Sequence, residues 1–88
     1  MTHVPKHIED AAFTAHIEVV GSLTILLGRK PTYREVAHTL AEAFGDAMGI
    51  YAGSGAQSHQ INVINRIAQR AYQTMLSEVM VCDCEGSA

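Results

Sequence analysis

The chain has 88 residues, 48% of them hydrophobic and only 17% charged, with a formal net charge of −3 when the histidines are neutral. That length makes one small domain with a limited core. No strongly basic field is present, which counts against sequence-independent nucleic-acid binding, and the acidity is too mild and scattered to argue for a DNA mimic.

Two Phe, three Tyr and no Trp leave most packing to Ala, Leu, Ile and Val. So sparse a polar coat implies that some apolar face meets a partner instead of water. The N-terminus lacks the basic, apolar, small-residue order of a secretory signal. No uninterrupted apolar run approaches the roughly 18 residues of a membrane span. These features lead to the expectation of a cytoplasmic protein with no membrane partner. Cys82 and Cys84 stand one residue apart near the C-terminus. Two cysteines so placed make no disulfide framework.

Residues 1–6 read as a loose lead-in, 7–82 as a single helical domain and 83–88 as a mobile polar tail. From His7 to Leu27 the apolar residues form two adjacent stripes. Ile8, Ala11, Ala12, Ala15, Val19, Leu23 and Leu26 make one. Phe13, Ile17, Val20 and Leu27 make the other. Asp10, Thr14, Glu18 and Gly21 leave only a narrow polar strip. A helix apolar over so much of its circumference is covered on more than one side. The excess predicts an oligomer interface built from Phe13, His16, Ile17, Val20 and Leu27. The rival reading is a β-hairpin over 17–27, from the β-branched residues around Gly21-Ser22. The helical period runs from Ile8 through Gly21 without a phase break, which favours the helix.

His16 falls between the two stripes. A buried imidazole needs a partner for its N–H. The plain reading is a core or interface histidine satisfied by a carbonyl or carboxylate, and the alternative is a pH-responsive interface. His3, His7 and His59 read as surface residues.

Gly28 ends the first helix, with Arg29 and Lys30 just past its negative end. Thr32 and Glu35 have the spacing of a capping box, so the second helix starts at Tyr33. Pro31 disfavours helix at Lys30 and supports that start. Tyr33, Val36, Ala37, Leu40, Phe44, Ala47 and Met48 form one stripe of a helix over about 33–48, with Gly49 as its stop. Glu35-Val36-Ala37-His38 is an E-x-x-H pair, with Glu42 a turn later, as in di-iron bundles. However, Glu35, His38, Glu42 and Asp46 fall on the side opposite Leu40 and Phe44, so they read as a solvated face and no metal is expected.

Arg29, Lys30 and Arg34 gather at the start of this helix and form an anion-binding candidate. The competing reading has Arg29 and Lys30 complementing the end of the first helix and Arg34 solvated. Gly53-Ser54-Gly55 lacks the Lys that would make it a P-loop. Ile50–Ala56 reads as a loop, and Ser54 with Gln57 as a second capping box opening helix three, which runs to about Val81. Its stripe is Ile61, Ile64, Ala68, Ala71, Met75 and Val79. The polar side offers His59, Asn62, Arg66, Gln69 and Arg70 as a partner-binding candidate.

PTYREVAHTL resembles the first helix of a helix-turn-helix motif, with helix three then reading base edges. The length of the second helix, the long connection after Gly49 and the thin basic charge count against it. Cys82 and Cys84 lie beside Asp83 and Glu85, which discourage thiolate formation, and no nucleophile stands in a catalytic pattern.

The fold class that follows is all-α: a three-helix up-down-up bundle, completed by oligomerisation. The expected function is non-enzymatic, without cofactor or metal: a small regulator, adaptor or inhibitor. Its partners are a second copy and another protein; a dimeric DNA-binding regulator is the alternative.

Overall fold

A computed structural model describes residues 4–87, with side chains over 4–79. Among these residues the chain is all-helical, with no strand: α1 spans Lys6–Leu27, α2 Tyr33–Gly53 and α3 Ser58–Ser87. The β-hairpin over 17–27 does not form. The lead-in expected over 1–6 lies partly outside the described residues, and Lys6 already belongs to α1.

Two compact units divide the chain. One holds α1 and α2 and runs to Gly55; the other, from Ala56 onward, holds α3. Within the first unit α1 packs against α2 across the connection 28–32. Gly28 closes α1 in the left-handed region (φ 71°, ψ 20°), and its N–H donates to the Thr24 carbonyl. Val19, Val20 and Leu23 are the half-buried residues of α1. Pro31 and Val36, the latter 8% exposed, are the buried residues of the pair, with Leu40, Met48 and Tyr51 half-buried on α2. Of the α2 stripe expected from the sequence, only Val36 is buried in a single chain, while Leu40 and Met48 are half-buried and Tyr33, Ala37, Phe44 and Ala47 are exposed.

The start of α2 is the expected one. Thr32 Oγ1 accepts from the Glu35 N–H at 3.1 Å, and Glu35 Oε1 accepts from the Thr32 N–H at 2.8 Å. Each side chain satisfies a donor that the helix itself leaves open. Thr32→Ala is expected to lower unfolding stability by about 0.5–2 kcal/mol. A denaturation midpoint unchanged by this substitution would show that the box contributes nothing.

The end of α2 corrects the sequence reading. The helix passes through Gly45 and Gly49 and stops at Gly53, so Ile50–Gly53 is helix and the connection shrinks to 54–57. A helical glycine costs only about 1 kcal/mol, which the continuing turn through Tyr51 offsets. Ser54 caps nothing downstream. Its hydroxyl donates back to the Tyr51 carbonyl at 2.7 Å. The Gln57 N–H instead donates to Gln60 Oε1 at 2.8 Å, three residues later than the expected Ser54–Gln57 box. α3 then continues past the expected end near Val81.

Candidate functional site

Three sets of residues carry the candidate surfaces, and each is placed by its own helix. On α1, Phe13 is 69% and Ile17 54% exposed, and no residue of the helix is buried. Three- and four-residue steps bring Phe13, His16, Ile17, Val20 and Leu27 to one side. Val20 alone of the five is half-buried, and His16 is exposed in the single chain. α1 is also long and apolar enough to cross a membrane by length and composition. The sequence reading missed this because it looked for an unbroken run, whereas Thr14, His16, Glu18, Ser22 and Thr24 interrupt this stretch.

The corner between α1 and α2 is where the charge is organised. The Arg29 guanidinium donates to both Glu35 oxygens, Nη1 to Oε1 at 2.9 Å and Nη2 to Oε2 at 2.8 Å, and Nη1 also reaches the Lys30 carbonyl at 3.2 Å. Thr32 Oγ1 lies 3.1 Å from Glu35 Oε1. The hydrogen bond from Arg29, then that from the Thr32 N–H, lower the Glu35 carboxyl from its ordinary 4.5 to about 2, against partial desolvation that pushes it up. The same hydrogen bond raises the Arg29 pKa.

This corrects the role read for Arg29, which is committed to Glu35 and not to the end of α1. The anion-binding trio is thus split: Arg29 is paired, while Lys30 and Arg34 have no acidic partner among the described residues. The pairing was hard to foresee because its partners are six residues apart across a turn.

Because the folded pKa of Glu35 is depressed, its stabilising contribution is present in full above the unfolded value near 4.5. It is lost as pH falls through about 2. The pair is half-exposed, with side chains 53% and 32% accessible, so solvent screens it and the effect is modest. Melting followed from pH 7 to 2 is expected to fall less steeply below pH 4.5 for Glu35→Gln than for wild type. Parallel curves would assign the acid sensitivity elsewhere.

On the polar side of α2, His38, Ala41, Glu42, Gly45 and Asp46 line a shallow open depression. Among the described residues no group of three His, Cys, Asp or Glu side chains gathers closely enough to hold a metal ion. Glu35 of the E-x-x-H pair is engaged with Arg29 and Thr32. On α3, His59, Asn62, Arg66, Gln69 and Arg70 are all exposed, and their spacing puts them on one face. Ile61, Ile64 and Ile67 are the half-buried residues of that helix. The side chains of Cys82 and Cys84 lie outside the described residues.

The class this defines is an all-α chain with an α1–α2 corner and a separate long helix. No family model, no curated protein and no solved structure matches it.

Proposed function

We propose that this chain is a non-enzymatic interaction protein, a small regulator, adaptor or inhibitor that self-associates through α1 and binds another protein. The second copy completes an up-down-up helical bundle. The observation that carries this reading is α1 itself: 22 residues, none buried, with Phe13 and Ile17 more than half exposed. Apolar surface of that extent drives association at about 25 cal/mol per Å² removed from water.

A second subunit fits α1 better than a bilayer core does. Glu18 stands near the middle of the helix, where an acidic side chain costs about 2.5–3.5 kcal/mol to insert into a membrane. It lies away from Phe13 and Ile17, so a helical partner on that side leaves it in water.

One observation favours the alternative, a helix-turn-helix-like DNA-binding regulator. The four-residue connection 54–57 falls within the turn length of such motifs, where a longer one was expected. The 21 residues of α2 weigh against it more heavily than the shorter helix first expected. Light scattering at micromolar concentration is expected to give at least twice 9.5 kDa, with no retarded DNA duplex at physiological salt. A monomer would overturn self-association. A salt-sensitive shift that survives competitor DNA and is lost on Arg66→Ala would establish the alternative.

A further inference from the structure

The corner joining α1 to α2 brings the most exposed large hydrophobic residues together with basic side chains. Ile25 is 82%, Leu26 79% and Tyr33 93% exposed, the three highest values among the exposed large hydrophobic residues. All three lie within one helical turn of the connection 28–32. Arg29, Lys30 and Arg34 are three of the chain's six Lys and Arg residues, and Glu35 is the only acid between Glu18 and Glu42. With Arg29 committed to Glu35, Lys30 and Arg34 are left facing outward in a chain whose overall charge is negative.

We propose that this corner docks on an anionic lipid bilayer: Ile25, Leu26 and Tyr33 enter the interfacial layer while Lys30 and Arg34 lie among the headgroups. The charge is complementary to acidic lipid and opposite to that of the chain as a whole. The shape argues for a fluid partner. Ile25 and Leu26 are sequential, so they leave α1 about 100° apart, and Tyr33 leaves from the next helix. A flat protein surface covers one such direction, whereas a lipid layer closes around an apex. Aliphatic side chains at the apex add nothing to nucleic-acid binding. Tyr33 carries the amphipathic ring that favours the membrane interface. Docking is peripheral and shallow, and it uses residues other than the Phe13–Ile17 side of α1.

The test is sedimentation of the full chain with vesicles of phosphatidylcholine alone or with a third phosphatidylserine, with helicity checked by circular dichroism. Binding is expected only to the anionic vesicles. It should weaken roughly fivefold for each of Lys30→Gln and Arg34→Gln, collapse for the Ile25→Ser, Leu26→Ser pair, and fall in high salt. A Tyr33→Trp variant, carrying an exposed reporter, should show a blue-shifted emission on anionic vesicles alone. Equal binding to both vesicles, no binding to either, or binding indifferent to these substitutions would overturn the proposal. So would a vesicle-bound form that resists both salt and alkaline extraction, which is the behaviour of a spanning α1.

Discussion

Ile17→Glu is expected to reduce the solution mass from an oligomer to 9.5 kDa at micromolar concentration. Ile17 is 54% exposed in the single chain, so a carboxylate there meets no clash within its own subunit. The penalty arises only when a second copy takes that carboxylate out of water. Burying it unpaired costs on the order of 2–4 kcal/mol, which weakens association by roughly 30- to 1000-fold. Val20→Glu should also dissociate the assembly, but Val20 is half-buried in the single chain, so its effect mixes packing with assembly. Ile25→Glu, at an 82% exposed site away from the Phe13–Ile17 side, is the control and should leave the mass unchanged. If Ile17→Glu keeps the wild-type mass, the interface lies on another face.

The second large effect is expected at Val36. It is the one buried hydrophobic residue of α2 and sits one turn into the helix, beside the capping box. Val36→Asp removes an apolar contact and places a charge where there is no water, on the order of 2–4 kcal/mol. A chain this short has little stability to lose, so the helical signal at 222 nm should drop at room temperature. If the chain self-associates through α1 as proposed, assembly and folding are linked and that loss should shrink as protein concentration rises. Tyr33→Asp, at a 93% exposed position three residues earlier, should leave the signal intact. Equal effects at the two positions would mean that Val36 is not the packing centre.

What was legible in the sequence was local. The Thr32–Glu35 box and the Gly28 stop depend on residues within one turn, and both stand where their spacing puts them. The far end of α2 was misread because a glycine is only a weak breaker. Gly49 lies inside the helix, and the turn closes four residues later. Ser54 misled for a related reason: because α2 runs on to Gly53, Ser54 is its C-cap, and its hydroxyl donates to the Tyr51 carbonyl behind it. The Arg29–Glu35 pair depends on the turn geometry around Pro31, which no periodicity reports. The exposure of Ile25, Leu26 and Tyr33 was equally hidden. On a helical wheel Leu26 and Tyr33 look like ordinary stripe members, and only the packed pair shows which part of each stripe is left uncovered.

The turn at Gly28 has a consequence of handedness. At φ 71° the backbone occupies a region that favours mirror-image amino acids, and a methyl group built there meets nothing within 4 Å. L-alanine at this position bears only backbone strain, roughly 1 kcal/mol. D-alanine bears none, and by narrowing the unfolded ensemble it should raise stability by about 0.4–1 kcal/mol. An 88-residue chain is within reach of chemical ligation, so the two stereoisomers can be made from the same fragments. Their melting temperatures, which differ through one chiral centre, measure how much stability depends on the left-handed backbone at this corner.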